Sequence, residues 1–249
     1  MREIIAAALR RQRTSVLVAP AAGFGGGLLS RWADSLGGVV GLLTLVPPVL
    51  FLAMLIRELM RRPGTAELRV DESARAFFSP PRTALTYLPI LSGWFAFMGV
   101  DTADRAGGNP LRWTLIAVYA VLCVAITVVH WRRMPFVALT TEGVTTGAPR
   151  PLAVVPWEAL GAEVPVEPGV AGRYVRLPIE RPELVRRAGR GPRLSAFLPV
   201  RELTVAPALL AAAIQHYATH PQHWAAIGTA AEYARLRHAL TGVPLSAQP

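Results

Sequence analysis

The amino-acid sequence predicts a membrane α-helical half, two hairpins making four spans, followed by a small α+β domain. Three observations predict it. Long uncharged apolar runs crowd residues 14–131, residues 132–249 carry the shorter apolar runs and Pro/Gly punctuation of a soluble domain, and arginines gather where the runs end. Charged residues make up 17% of the 249, against about 25% in ordinary globular chains, and the deficit falls in the first half. That length holds one helix bundle and one small domain, with the division expected at 1–132 and 133–249.

Three runs are plain. Ser35 to Ile56, Thr83 to Val100 and Trp113 to Trp131 are 22, 18 and 19 residues without an Asp, Glu, Lys or Arg. A helix rises about 1.5 Å per residue and the hydrocarbon core is about 30 Å thick, so each run suffices to span it. Lipid offers the backbone no hydrogen bonds, which makes these runs helices. Trp113 and Trp131 suit the two interfaces. A fourth run, Thr14 to Ser30, is shorter and holds Gly23, Gly25, Gly26 and Gly27. It resembles a signal peptide in following Arg10, Arg11 and Arg13, but no small-x-small cleavage site precedes Arg31 and Trp32, so it reads as a retained span.

Charge placement favours four spans over three. Arg57, Arg61, Arg62, Arg69, Arg75 and Arg82 lie between the second and third runs, and Arg132 and Arg133 follow the last. The segment Asp101 to Arg112 balances Asp101 and Asp104 against Arg105 and Arg112. The positive-inside rule then puts 57–82 and 132–249 in the cytoplasm and 101–112 outside. Three spans would leave four arginines before residue 14 outside. Four bring them in, giving a multi-pass plasma-membrane protein with both termini cytoplasmic. Gly23 with Gly27, and Gly37 with Gly41, have the small-xxx-small spacing that lets helices approach closely. Pro47 and Pro48 are expected to kink the second helix near its centre. The span interiors carry no Asp, Glu, Lys or Arg, which ion paths and proton relays generally require.

After Pro135 the apolar period shortens. Phe136–Thr140, Ala153–Leu160, Glu163–Val166, Tyr174–Ile179 and Ala196–Val200 read as strands, with a tight turn at Glu142–Gly143. A helix follows, with Thr204 as its N-cap and Leu209, Leu210, Ala213, Ile214 and Tyr217 as its apolar stripe, stopped by Pro221. A second begins at Thr229 with Glu232 in capping-box spacing and ends at Gly242. Residues 66–78 also alternate like a strand pair and are candidates to join this domain.

The segments Phe136-Val-Ala-Leu-Thr-Thr-Glu-Gly-Val144 and Ala153-Val-Val-Pro-Trp-Glu-Ala-Leu160 resemble the opening of bacterial pleckstrin-homology-like (PH-like) domains. There a strand ends in a Thr-x-x-Gly-Val-type turn and the next closes on a Trp. Such domains commonly follow a membrane hairpin with basic residues at the junction, as Trp131-Arg-Arg133 does. The whole chain is similar to actinobacterial multi-pass membrane proteins of this layout. The resemblance covers about 25 residues and implies a PH-like small barrel of seven strands with C-terminal helices, and no catalytic residues. The Arg- and Pro-rich insertion Arg181–Arg193 and the extra C-terminal helix depart from it.

Candidate sites are few. Arg57, Arg61, Arg62, Arg132, Arg133, Arg186, Arg187 and Arg190 are candidates for contact with anionic lipid headgroups, each held near the surface contributing about 1 kcal/mol. A solvated loop in an arginine-rich chain, which has 26 arginines and no lysine, is the plainer reading of 181–193. Nucleic-acid binding is not expected, because no aromatic interleaving accompanies the charge. His216, His220 and His223 surround the end of the first soluble helix, and residues i and i+4 share a face. No carboxylate or cysteine lies near them in sequence, so solvated surface histidines are expected, with no metal and no cofactor. Trp157 is expected in the core. Cys123 sits in an apolar run and has no partner for an intrachain disulfide. No Gly-x-Ser-x-Gly, Cys-His or phosphate-loop pattern occurs, and no enzyme is expected. The expected role is a membrane-anchored binding or scaffold protein, partnered by the bilayer and a protein, a lipid or a second copy of itself; the alternative is a transporter or channel subunit.

Overall fold

The apolar runs become four helices, α1 (Arg2–Leu36), α2 (Val46–Leu59), α3 (Tyr87–Asp104) and α4 (Pro110–Arg132). The structure, a computed structural model, describes residues 2–62, 64–82, 87–132, 134–148, 153–169, 172–187 and 197–241. Two units divide the chain: a helical one of Leu9–Arg61 and Thr83–Arg132, and a mixed one of Met1–Ala8, Arg62–Arg82 and Arg133–Pro249.

Among the described residues of the helical unit, two stretches are long and apolar enough to cross a membrane, Leu42–Leu59 with 18 residues and Pro110–Trp131 with 22. Its large apolar side chains largely face outward, among them Leu50, Leu52, Val121 and Val124. The expected close approach at Gly23 and Gly27 is present: a Cβ on Gly23 would fall 1.9 Å from the carbonyl oxygen of Gly93, and one on Gly27 2.7 Å from the Cβ of Val100. Glycine lets α1 lie backbone to backbone on α3. The pair Gly37 and Gly41 does not act this way at Gly37, which has φ +63° and open space around it. It ends α1 instead, at φ +63° and ψ −168°, a conformation open essentially to glycine alone. Residues Gly38–Leu45 then form a 3₁₀ segment.

The proline pair departs from expectation. Pro47 and Pro48 stand in the first turn of α2 rather than in the middle of a helix. Their missing N–H groups fall where no helical bond is made, so they start the helix and do not kink it. The two ends of the unit are marked by polar contacts. At one, Arg13 donates from Nε to the Trp131 carbonyl at 3.3 Å and lies 5.1 Å from the Trp131 ring centroid. At the other, Arg31 meets Asp104 at 2.9 Å.

The mixed unit is built on two open antiparallel sheets. The larger has the order β1 (Arg69–Asp71), β2 (Ala76–Ser79), β3 (Met134–Thr140), β4 (Gly143–Ala148), β5 (Ala153–Pro156), β8 (Arg186–Arg187); the smaller joins β6 (Glu167–Pro168), β7 (Tyr174–Arg176) and β9 (Phe197–Pro199). Residues 66–78 do contribute a strand pair: Val70 faces Phe77 and Phe77 faces Leu139. Division of the chain at 132/133 is corrected accordingly, with 62–82 belonging to the mixed unit. All four residues of β2 are buried, and a buried strand needs hydrogen-bonded neighbours on both sides.

The expected β3–β4 hairpin is present, but it turns at 141–142, one residue before the expected Glu142–Gly143, with the Thr140 hydroxyl donating to the Gly143 carbonyl at 3.0 Å. Trp157 is 2% exposed, and its Nε1 donates to the Thr140 carbonyl at 2.9 Å. Glu163–Val166 is not a strand; the Val166 N–H goes instead to the Gln215 side chain at 2.7 Å, and the strand begins at Glu167. Within 181–193, Pro182–Leu184 forms a 3₁₀ turn and Arg186–Arg187 an edge strand beside β5, replacing part of the expected loop; 188–193 lie outside the described residues.

Helix α5 (Pro207–Thr219) is capped by Ala206 with Pro207 in its first turn. Thr204, the expected cap, donates its hydroxyl to the Pro80 carbonyl. A 3₁₀ segment, Pro221–Ala226, leads to α6 (Ala230–Thr241). Thr229 caps α6 by accepting from the Glu232 N–H at 3.2 Å; Gly242, its expected end, lies outside the described residues. Both sheets and both helices close on one core that includes Phe77, Leu139, Trp157, Val175, Leu198, Ile214, Tyr217 and Leu236.

Candidate functional site

The expected headgroup contacts fall in both units, Arg57, Arg61 and Arg132 in the helical one and Arg62, Arg186 and Arg187 in the mixed one. Arg57 and Arg61 stand exposed one turn apart at the end of α2, where Arg61 pairs with Glu58 at 3.1 Å. Arg62 is exposed, and its carbonyl accepts from Arg82 at 2.9 Å. Arg186 and Arg187 are exposed neighbours on β8, with Arg186 paired to Glu142 at 2.8 Å. Arg132 is the last residue of α4, while Arg133 and Arg190 lie outside the described residues. Elsewhere in the mixed unit Arg235 pairs with Glu232 and Arg237 with Glu67.

Arg235 and Glu232 belong to a dense polar arrangement where α5, 221–226 and α6 meet. His216 and His220 lie one turn apart, and the following 3₁₀ segment brings His223 back beside them. The three rings are near-parallel, 4.5 Å between His216 and His220 and 5.4 Å from each to His223. They are partly buried, not the solvated surface histidines the sequence predicts. Thr219, His220 and His216 interlock: Nδ1 of His220 lies 2.9 Å from the His216 carbonyl and 2.8 Å from the Thr219 hydroxyl.

Glu232 enters this cluster from α6. Only 5% exposed, it accepts the Tyr217 hydroxyl at 2.9 Å and two donors of Arg235, at 2.7 and 2.5 Å. Arg235 also lies 3.1 Å from Nε2 of His216. Ligand atoms of His216, His223 and Glu232 lie within 4.8 Å of one another. Nδ1 of His223 is buried and has no hydrogen-bond partner among the described residues, an uncommon state for a buried polar atom.

Electrostatics follow from this crowding. Burial, with the nearby His220, Arg235 and His223, pulls His216 down to about 4, so its ring is neutral near neutral pH. Burial and Arg235 also lower His223. Burial opposes the charge on Glu232, but the donors Arg235 and Tyr217 outweigh it and hold the carboxyl below its usual range. Burial and the adjacent carboxylate push the Tyr217 phenol up. The result is an ionised Glu232 beside the Arg235 cation, with the His216 ring held neutral.

The place is rigid. Trp224 Nε1 donates to the Tyr217 carbonyl at 2.7 Å, tying 221–226 to α5. Its ring stacks 6.4 Å from Trp157, which lies 5.5 Å from Tyr217. Sequence spacing offers His216, His220 and His223 but not Glu232, which stands in the next helix; its capping-box position gave it a different role. The N–H of Glu232 does cap, yet its carboxylate turns inward to Tyr217 and Arg235.

The helical unit holds a second feature, a cleft of about 240 Å³ lined by Ser30, Arg31, Asp34, Thr44, Asp101, Asp104 and Arg105 together with apolar side chains. Its charges largely satisfy one another, Arg31 with Asp104 and Arg105 with Asp101 at 3.0 Å. No family model, curated protein or solved structure matches this chain.

Proposed function

We propose that the protein is a membrane-anchored binding or scaffold protein, in which four spans hold a cytoplasmic PH-like domain at the plasma membrane for a protein partner. One observation carries this reading. A helical unit that turns its leucines and valines outward shares a chain with a mixed unit that closes its own core. The first suits lipid and the second water.

Further features support the finer points. Arg13 beside Trp131 and Arg31 beside Asp104 put the start of α1 with the end of α4, and the end of α1 with that of α3, as four alternating spans require. Two antiparallel sheets around Trp157, closed over by a helix after the last strand, fit the PH-like layout. A protein partner is favoured over headgroups because, of the headgroup candidates, Arg61 and Arg186 are already paired with carboxylates of their own unit. The mixed unit's large exposed apolar side chains among the described residues are Val164 and Phe197, the latter 45% exposed on edge strand β9.

A photo-crosslinking residue at Phe197 of the full chain, activated in native membranes, tests this. A discrete protein adduct is expected. Adducts to lipid alone would move the role to the headgroup-contact arginines. No adduct, with membrane complexes unchanged on deletion of the chain, overturns the reading. A transporter or channel subunit is the second reading, favoured by the polar cleft of the helical unit; solute or ion flux into proteoliposomes would establish it.

A further inference from the structure

We propose that His216, His223 and Glu232 form a binding site for a divalent transition-metal ion of zinc's class, which enters by displacing the Arg235 guanidinium. Two imidazoles and a carboxylate are a donor set such ions take, with water completing the shell. They come from three successive elements, α5, the 221–226 segment and α6, so the fold and not one helix repeat assembles the set.

Three features point to a ligand and not merely to a polar junction. The donors already lie within 4.8 Å of one another. Nitrogens around one zinc ion stand about 3.4 Å apart, from metal–nitrogen distances of about 2.1 Å in a tetrahedron, so the remaining closure is of side-chain size. Next, Nδ1 of His223 is buried without a partner. Such an atom calls for a bound ion or water. Last, the surroundings orient the carboxylate as an outer shell does: the Tyr217 hydroxyl holds one oxygen of Glu232, and Tyr217 is held through its carbonyl by Trp224. Outer-shell donors of this kind fix the ligand's direction.

Arg235 is the group that an ion would have to displace. Its guanidinium contacts Glu232 and His216, two of the three ligands, and supplies the positive charge the buried carboxylate needs. It does not satisfy His223. A divalent ion would meet all three, and Arg235, with about a third of its side chain exposed, can turn to solvent.

The test uses the full chain in detergent micelles or nanodiscs, purified without a histidine tag and stripped with chelator. Cobalt(II) is titrated and followed by its visible d–d absorption, with zinc as competitor. One equivalent is expected to give a saturable band of the intensity of four- or five-coordinate cobalt, lost on adding zinc. His223→Ala and Glu232→Gln should each weaken binding at least tenfold, and His238→Ala should leave it unchanged. Arg235→Ala should tighten it several-fold, which a purely structural ion pair would not do. Circular dichroism and thermal unfolding check the fold of each variant; should Glu232→Gln fail to fold, His223→Ala and Arg235→Ala decide the question. A spectrum that stays that of aqueous cobalt overturns the proposal, as does an affinity that neither His223→Ala nor Arg235→Ala moves.

Discussion

The two units use the same aliphatic side chains in opposite ways. On α4 of the helical unit Val121 is 66% exposed, whereas Val175 on β7 of the mixed unit is 0% exposed. Water would penalise the first arrangement along a whole helix and reward the second, at roughly 25 cal/mol per Å² of apolar surface removed from it. The difference supports the proposal that the two units are built for two solvents. It also says where stability resides: helix contact through Gly23 and Gly27 in one, a closed aromatic core in the other.

The largest effect should come from that core. Trp157→Ala removes the ring that stands between Tyr217 and Trp224 and leaves the Thr140 carbonyl without its donor. A loss of about 3–5 kcal/mol is expected. Trp113 in the helical unit is its foil, 56% exposed with Nε1 on the Gly107 carbonyl; its replacement by Ala should cost under about 1 kcal/mol. Thermal unfolding of both variants in one detergent measures the contrast, and equal losses would break it.

Next in size is a charge on the outward face. Val121→Arg should cost about 2.5–3.5 kcal/mol at the middle of a spanning helix, read as reduced integration into microsomal membranes. The same arginine on a helix in water would be nearly neutral. Full integration of the variant therefore argues against lipid around α4.

A smaller, pH-dependent effect belongs to the mixed unit alone. Burial and the facing His220, Arg235 and His223 favour the neutral ring of His216, and the facing Glu232 carboxylate opposes them without prevailing. Above pH 6.5 neither the folded nor the unfolded chain holds the proton, and stability is full. Between 6.5 and about 4 the unfolded chain takes it up and the folded one does not, so stability falls as pH falls. With partial exposure discounted, about 1–2 kcal/mol is expected to go. Unfolding in the presence of chelator measures it, and His216→Gln should flatten the slope across that window.

Much of this contrast is legible in the sequence. The apolar runs, their arginine-rich ends, the Gly23–Gly27 contact, the Thr140–Gly143 turn and the buried Trp157 all follow from local pattern, because each depends on residues close in the chain. The rest depends on partners distant in sequence. Pro47 and Pro48 start α2 because Gly37 and Gly38, with φ +63° and +58°, interrupt the run before them, and no hydropathy pattern carries that break. The pairing of 69–79 with 134–140 crosses two helices of sequence. Glu232 reaches the histidines only through the turn at 221–229, so spacing along α5 could offer two or three imidazoles and no carboxylate.

The smallest expected effect tests whether surface charge contributes to either unit. Arg186 joins Glu142 at 2.8 Å with side chains 67% and 65% exposed, and Arg31 joins Asp104 at 2.9 Å in the helical unit, also in the open. Exposed pairs gain little, since water screens the attraction and ordering two long side chains costs entropy; about 0–1 kcal/mol is usual. Glu142→Gln should therefore shift stability by less than about 0.5 kcal/mol and leave β8 on β5, where it is held by backbone bonds opposite Ala153 and Val154. Amide exchange on 186–187 and 153–154 reads this directly. Should those amides lose protection in the variant, the two-residue edge strand is held by charge and not by the ladder, and the mixed unit's edge would then respond to salt as its core does not.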